Sequence, residues 1–572
     1  MIALINNDLR KIFEELGDIE EVEGNRWESL AYRKAAASIS SLGEDVARIA
    51  ERGELRKIDG VGPAIERKIL QYIREGRIDK YDQMKKIYPV DFSTLRKIQG
   101  LGPKKIAQLF LRLGVKNLED LQKAITENRI AGLEGFGQKS QENIARGVRL
   151  LVESGPERIP LGLVYDQVMA FRGRLLATGS FQRLEPAGSF RRMRDTLGDL
   201  DFLATAADRH AATDAILAMD DVKEVISRGE SRVTVLLDIG LTCDFRFIGE
   251  ESFGSAMQYF TGSKEHNIRM RDIAISMGLK LSEYGLFRND ERLEGPSEQK
   301  IYQKLVGQWI EPELRENNGE IEAAVSGNLP KLVSNDQIKG DLHAHTVDSD
   351  GKDSLEEMVN AAVGAGLSYI AITNHSRSLR VARGLDEGRF RMMNSQIDNM
   401  QNEGIWVMKG VELEILRDGS LDLSGAVLDQ MDYVVAALHQ SIGTEQENTS
   451  RVIKAIESGY VDAFAHPTGR LIGTRAPYDL NLDLIFEACR DNKVLLEING
   501  QPERSDLPSD LVRRAAASGN MFVLGSDAHS VRDLRNLRFA CAVARRGWLT
   551  PELVVNTMTA DELRKLIKSR RK

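Results

Sequence analysis

Residues 338–351 read IKGDLHAHTVDSDG, an apolar run that closes on His343 and His345, with Asp350 five residues further on. Six of the eight histidines follow Gly340, and all six end such runs. The run 369–373 leads to His375, 433–438 to His439, 461–465 to His466, and 521–525 to Asp527 and His529. A further run, 405–411, ends in Glu412. Charged segments of helical length separate the runs, which predicts alternating strands and helices. Imidazoles and carboxylates gathered at the C-terminal mouths of parallel strands would form one multi-metal, catalytic site.

That domain fills only the last two-fifths of the 572 residues. The length suits about three or four domains, since single cores rarely exceed roughly 250 residues. No run of apolar residues is long enough to span a membrane, and the N-terminal MIALINNDLRKIFEEL reads as an amphipathic helix rather than a signal peptide. Three cysteines without paired spacing fit a reducing compartment. The net charge of −8 excludes a whole-chain electrostatic case for nucleic-acid binding, but its distribution is uneven. Residues 1–150 carry 27 Lys+Arg against 23 Asp+Glu, a net +4, and the rest carries 51 against 63, a net −12. A basic front and a carboxylate-rich body suit phosphate binding first and metal binding later; chance surface charge is the plainer alternative.

Residues 1–150 are predicted to be helical and contain a recurring unit. Ile58-Asp59-Gly60-Val61-Gly62-Pro63 is matched by Ile98-Gln99-Gly100-Leu101-Gly102-Pro103, each followed by a Lys/Arg-rich helix. Apolar-Gly-apolar-Gly between short helices is the helix-hairpin-helix pattern. Its glycines let backbone N–H groups at the next helix N-terminus cup a DNA phosphate, which positions a duplex without reading its sequence. Gly60, Gly62, Gly100, Gly102, Lys104 and Lys105 are the candidate DNA contacts. Leu133-Glu134-Gly135-Phe136-Gly137-Gln138 is a weaker third copy, open also to reading as a plain helix connection.

Gly188-Ser189-Phe190-Arg191-Arg192 precedes Gly198-Asp199-Leu200-Asp201. Aspartates at i and i+2 of a strand share a face, and Asp244 is a third candidate from a later strand. Three carboxylates could hold two divalent cations that favour attack of a 3′-hydroxyl and departure of pyrophosphate. Ser189, Arg192 and the backbone at Gly188 and Gly198 would contact a triphosphate.

With Tyr259-Phe260-Thr261-Gly262-Ser263 downstream, the first 318 residues resemble the family X DNA polymerases, the group containing polymerase beta. The resemblance implies a multidomain fold: an all-α helix-hairpin-helix region, then an α+β nucleotidyltransferase palm and thumb. It implies catalysis and metal binding by Asp199, Asp201 and Asp244, and a further triphosphate ligand in Arg158. Tyr259, Phe260 and Gly262 would line the sugar pocket, while Asn267 and Arg271 would reach the nascent pair and the template. Lys68 matches the family's Schiff-base lysine for deoxyribose-phosphate lyase chemistry, and Tyr32, Arg33, Lys34 and Lys80 match its neighbours. Trp27, Glu28 and Ala64 stand where the family carries basic residues and weaken the 5′-phosphate pocket, so Lys68 reads equally as a solvated lysine on a DNA-facing helix.

Residues 338–572 resemble the PHP (polymerase and histidinol phosphatase) domain, a distorted (βα)7 barrel with a trinuclear metal site. Nine ligands follow: His343, His345, Asp350, His375, Glu412, His439, His466, Asp527 and His529. Their mixed N/O donors accept Mn²⁺ and/or Zn²⁺, up to three ions, whose chemistry is to activate water against phosphorus. Mg²⁺ or Mn²⁺ is expected in the palm. Asn374 stands where this family usually has aspartate, and Asp348, Glu414 and Glu497 read as supporting residues. Arg470 and Arg475 are candidate phosphate-backbone contacts.

The expected division is 1–90 (lyase-like, first hairpin), 91–154 (fingers-like, second hairpin), 155–250 (palm), 251–316 (thumb-like), 317–337 (linker) and 338–572 (PHP). The chain is identified as a member of the bacterial and archaeal family X polymerases that carry a PHP domain. That membership implies short-gap filling in base-excision repair, with 3′–5′ exonuclease, 3′-end-processing and AP-endonuclease activity. The expected partners are gapped or primer-template DNA and dNTPs, with no membrane, for a monomer in the cytoplasm at the nucleoid. Rival readings are a 3′-trimming phosphodiesterase that uses the palm as a clamp, and a repair scaffold with two degenerate sites.

Overall fold

A computed structural model describes residues 2–40, 46–96, 98, 101–153, 158–400 and 404–570. The chain forms two compact units, one of residues 1–157 with the short segments 221–223 and 236–241, the other of the remainder.

The first unit is helical throughout its described part before residue 154. Helix Ile2–Glu23 buries Leu9, Phe13, Leu16 and Ile19 in one core with Ile65, Ile69, Ile106, Leu109 and Ile144. All three hairpin copies share one turn hydrogen bond and one helix start among the described residues. The N–H groups of Val61, Leu101 and Phe136 each donate 3.0 Å to the carbonyl three residues back, and each helix then starts from Gly62, Gly102 or Gly137. Pro63 and Pro103 occupy the first helical position, where a missing N–H costs nothing. Gly60 needs its φ of +77°, and a Cβ there would meet Lys34 Cγ at 2.9 Å. Gly100 lies outside the described residues. The third copy is thus a hairpin in its backbone, despite Gln138 in place of proline.

In the second unit the palm sheet runs Arg183–Pro186, Asp199–Thr205, Thr242–Phe247, Arg232–Leu237, Val222–Arg228 in spatial order. Asp199–Thr205 and Thr242–Phe247 are parallel neighbours. Helices Phe253–Thr261 and Lys264–Ser276, a three-stranded sheet and helix Glu298–Val306 follow. The polar segment 317–337 does connect the regions, but it is packed rather than loose. It contains helix Glu320–Val325, and the wholly buried Glu320 accepts a 2.6 Å hydrogen bond at His266 Nδ1.

From residue 340 the described strands form a seven-stranded parallel sheet in chain order: Gly340–Ala344, Tyr369–Ile372, Trp406–Glu414, Tyr433–Ala437, Ala463–Phe464, Leu495–Asn499 and Phe522–Gly525. A parallel bridge between Ala344 and Ala528 brings the last strand end to the first, with His345 N–H donating to Ala528 O at 2.8 Å. Six of these strands are buried along almost their whole length, as expected when helices cover one face and side chains fill the other. Distortion enters at a register shift between Asp341 and Ala344 and at the two-residue strand Ala463–Phe464. Two helices start in capping boxes, Ser354 with Glu357 and Thr444 with Glu447. Among the described residues no helix is long and apolar enough to cross a membrane. Cys243, Cys489 and Cys541 are all buried and free.

Candidate active sites

Parallel pairing places Asp201 directly opposite Asp244, with Asp199 two residues before Asp201 on the same face. Burial, then the charge of Asp199, pushes the Asp201 carboxyl up to about 6. Asp244 is held by Arg232, at 3.0 and 2.5 Å, and by Thr234 Oγ1 at 2.6 Å. Three facing carboxylates, one of them driven towards its neutral form, are a donor set that a divalent cation would relieve. Gly188, at φ +58°, lies so close that a Cβ would sit 2.8 Å from Asp201 Oδ2.

Of the expected triphosphate ligands, Gly188 meets Asp201, and Gly198 with Arg158 adjoins Asp199. A Cβ on Gly198 would lie 3.1 Å from Arg158 Nη1, and one on Gly262 would lie 3.1 Å from Arg192 Nη1. Arg158 is aimed by Thr196, donating 2.9 Å to its Oγ1 and 2.7 Å to its carbonyl. Arg192 bonds Glu316 at 3.0 Å and the Thr261 carbonyl. Ser189 is half-buried in the same turn, and Tyr259 and Phe260 meet edge to face with centroids 5.0 Å apart. Asn267 differs from expectation: its amide is spent inside the protein, accepting from Gln258 at 2.8 Å and donating to Tyr259 O at 2.6 Å. Arg271 is exposed on the same helix.

In the first unit, Lys68 Nζ stands 5.5 Å from the Tyr32 ring centroid and 3.4 Å from Ala64 O. Burial chiefly, with Lys80 and Arg67 nearby, lowers its pKa. Lys80 pairs with Glu20 at 2.9 Å and Lys34 with Asp59 at 2.7 Å.

All nine barrel residues converge. Glu412 is the hub: oxygens of its carboxylate lie 2.8 Å from His466, 2.9 Å from His375, 3.3 Å from His439, 3.4 Å from His343 and 3.5 Å from His345. Asp350 faces His375 and His529, both at 3.4 Å, and Asp527 faces His345 at 3.3 Å. Three groups within this cluster have donor atoms mutually within 4.8 Å: His345, Asp350, His375 and His529; His343, His345 and Glu412; His375, Glu412 and His439. Against the effect of burial, His375, His439 and His343 hold Glu412 well below the carboxylate range. Burial opposes charge on His375 too, but Glu412 and Asp350 raise it to about 10. Burial, with the neighbouring His529 and His375, lowers His345 to about 4. His343 Nε2 and both ring nitrogens of His345 are wholly buried without a hydrogen bond among the described residues. Orphaned buried nitrogens facing carboxylates are what a metal-ligand set presents. Two residues of the cluster that lie outside those three groups, His466 and Asp527, sit at φ +28° and +53°, uncommon for non-glycine residues and concentrated at functional sites.

The supporting residues are equally ordered. His343 Nδ1 bonds Glu497 at 2.5 Å and His439 Nδ1 bonds Glu414 at 2.9 Å, which fixes both rings, as expected for those glutamates. Asn374 accepts from Thr346 N–H and Ser349 Oγ, both at 2.8 Å, and so shapes the turn that delivers Asp350. Asp348 is half-buried beside Thr346 and outside the three donor groups. Residues the sequence did not single out also serve here. Asn499 Nδ2 donates 3.1 Å to Asp527, and Arg504 Nε lies 3.5 Å from the same oxygen. Their one signal was position, after the strand end at Leu495–Asn499, where the other barrel ligands also sit.

Arg470 differs from expectation, and Arg475 does so less. Arg470 is half-buried and bonded to Asp195 of the palm at 2.7 Å, to the Arg504 carbonyl at 2.8 Å and to the Ser505 carbonyl. Arg475 bonds the Gly469 carbonyl at 2.8 Å and lies 5.2 Å from the Tyr478 centroid. The Arg470 guanidinium thus serves internal contacts, whereas Arg475 is exposed and spends only its Nε on the carbonyl.

A carboxylate palm followed by a thumb, and a barrel with a nine-residue histidine and carboxylate cluster, define a protein with two phosphoryl-transfer centres. Family comparisons agree: the helix-hairpin-helix domain matches residues 5–78, the SAM-like helix-hairpin-helix tandem 92–149, the DNA polymerase beta thumb 256–316 and the PHP domain 341–499. The DNA polymerase/3′-5′ exonuclease PolX of Bacillus subtilis (strain 168) is 35% identical over 571 residues, 98% of this chain and 99% of the relative. A probable phosphatase of Thermoanaerobacter sp. (strain X514) is 28% identical over 230 residues, 38% of this chain and 89% of its own length. The probable phosphatase YcdX of Escherichia coli is 26% identical over 227 residues, again 38% of this chain and 89% of its own. The chain belongs to the PolX family of DNA polymerases with a C-terminal PHP domain.

Proposed function

We propose that the palm adds nucleotides to a DNA 3′-end and the barrel removes or cleans them, so that one chain fills short gaps in DNA repair. The DNA polymerase and 3′–5′ exonuclease activities are those of the family; gap repair, 3′-end processing and AP-endonuclease cleavage are our extension. The observations that support the reading are the register that sets Asp201 opposite Asp244, with Asp199 on the same face, and the three barrel donor groups drawn from seven of the nine expected residues.

In the palm, divalent cations bound by the three aspartates, Mg²⁺ or Mn²⁺, would lower the 3′-hydroxyl pKa and offset charge on the leaving pyrophosphate. Arg158 and Arg192, pre-aimed by Thr196 and Glu316, bind triphosphate oxygens together with Ser189 and the backbone at Gly188 and Gly198. Tyr259, Phe260 and Gly262 hold the sugar. Asn267 stiffens that wall through Tyr259 O, and Arg271 faces the template. In the barrel, up to three ions, Mn²⁺ and/or Zn²⁺, would supply Lewis acidity and an acidified water. Glu497 and Glu414 keep His343 and His439 in one orientation, while Asp350 and His529, 31% and 25% exposed, open the cluster to substrate.

The hairpins grip DNA phosphates through the N–H groups after Gly60, Gly62, Gly100 and Gly102, with Lys104 and Lys105 adding charge. Lys68, whose pKa burial lowers, would add as an amine to the aldehyde of an abasic sugar and form a Schiff base with loss of water. The protein acts as a cytoplasmic monomer at the nucleoid, with the domain limits 1–90, 91–154, 155–250, 251–316 and 338–572. A duplex with a one-nucleotide gap tests the reading. Extension by one nucleotide with dNTPs, and 3′ trimming with Mn²⁺ but no dNTPs, are expected from one preparation; failure of either contradicts it.

A further inference from the structure

Asp195 lies in the palm turn between the short helix Gly188–Arg191 and the strand Thr196–Leu197, beside the nucleotide arginines, yet its carboxylate bonds the barrel. Arg470, which receives it, comes four residues after the cluster residue His466. Its other donors go to the carbonyls of Arg504 and Ser505. One guanidinium therefore fastens the palm turn to two barrel loops, 466–470 and 499–506.

Those loops are one hydrogen-bonded piece. The wholly buried Asp506 accepts from Thr468 N–H at 3.1 Å and from its hydroxyl at 2.9 Å. Asp506 N–H donates to Asn499 O at 3.2 Å, and Asn499 Nδ2 donates to both Glu497 and Asp527. Glu497 accepts from His466 N–H at 2.6 Å and holds His343. His466, Asp527 and His343 thus all lean on a web whose outer anchor is Arg470.

We propose that Asp195 is a positioning residue of the barrel site: a palm carboxylate that holds Arg470, and through it the loops carrying His466 and supporting Asp527, in their working arrangement. The proposal rests on reading the barrel as the nuclease. Asp195 and Arg470 side chains are 25% and 17% exposed, so the pair is largely shielded from water. A cavity of about 410 Å³ borders them, lined in part by Arg194, Asp195, Thr196 and Arg470. Without the carboxylate, Arg470 has room to turn into that space and release the Arg504 and Ser505 carbonyls. The same turn serves the palm, since Thr196 orients Arg158, so one segment trims both centres. Other ion pairs to the barrel land elsewhere: palm Asp166 with Arg538 at 2.8 Å and thumb-like Glu316 with Arg546 at 3.2 Å both meet helix Leu537–Arg546.

The test uses the full chain with Asp195→Asn, Asp195→Glu and Asp166→Asn. It reads Mn²⁺-supported trimming of a single-stranded oligonucleotide and, without metal, hydrogen–deuterium exchange of residues 466–470 and 499–506. Asp195→Asn should lower kcat roughly tenfold with KM changed less than about twofold, in line with loss of an outer support to a metal site. It should also speed exchange in both loops, while Asp195→Glu restores both readouts and Asp166→Asn moves neither. If Asp195→Asn does not fold, Arg470→Gln carries the same expectations. Wild-type kcat and exchange in Asp195→Asn, or an equal loss in Asp166→Asn, would overturn the proposal. Absence of trimming in the wild type would instead contradict the nuclease reading, and the exchange measurement would still decide the coupling.

Discussion

Five imidazoles facing one buried carboxylate at Glu412 explain why the barrel needs a second ring of acids behind the first. A histidine ring turns freely about its bond unless its far nitrogen is held, and Glu497 does this for His343. Glu497→Gln should therefore weaken metal binding or trimming by about 10- to 100-fold, with polymerisation unchanged. Metal analysis of the purified variant beside a trimming assay checks this, and full metal content with full trimming would refute it. The palm aspartates support a different expectation. In the metal-free site Asp201 titrates near 6, raised by burial and by Asp199, so below that pH a cation must displace a proton. The Mg²⁺ concentration for half-maximal extension should rise about tenfold per unit as pH falls below about 6 and level off above it. A flat Mg²⁺ requirement between pH 5 and 7 would show that Asp201 is already ionised.

At the scale of elements, the barrel was legible because buried parallel strands are apolar on both faces and each ends in chemistry, as 433–438 and His439 do. The hairpins were legible because glycine and proline mark one backbone path, and even the degenerate Gly135–Gly137 copy follows it. What could not be read was which polar groups meet across long separations. Nothing near Arg470 signals a partner 275 residues away, and phosphate contact was the natural reading of an arginine beside a metal site. The polar, glycine-punctuated 317–337 likewise suggested slack, whereas Glu320 is buried against His266. Gly60 offers a test at this scale. Gly60→Ala forces a side chain into a left-handed backbone against Lys34, at a cost of about 1–2 kcal/mol in the first hairpin. Affinity for gapped duplex should fall while trimming of a single strand persists, as measured by fluorescence anisotropy and gel assay; unchanged affinity would remove this hairpin from the DNA interface.

At the scale of the molecule, one chain carries two phosphoryl-transfer centres with separate candidate ligands, both within the second unit. Ion pairs tie both palm and thumb-like regions to the barrel, Asp195 with Arg470 and Glu316 with Arg546, while the barrel donor groups among the described residues draw on barrel residues alone. Neither resemblance alone establishes this, because the probable phosphatases match the barrel without the palm. The most direct measurement follows a labelled primer with a mismatched 3′-end on a template, using wild type, Asp199→Ala and His343→Ala with Mn²⁺ and dNTPs. Wild type should trim and then extend, Asp199→Ala should trim without extending, and His343→Ala should lose trimming yet extend a matched primer. Extension surviving Asp199→Ala, or trimming surviving His343→Ala, would contradict the assignment of the two centres.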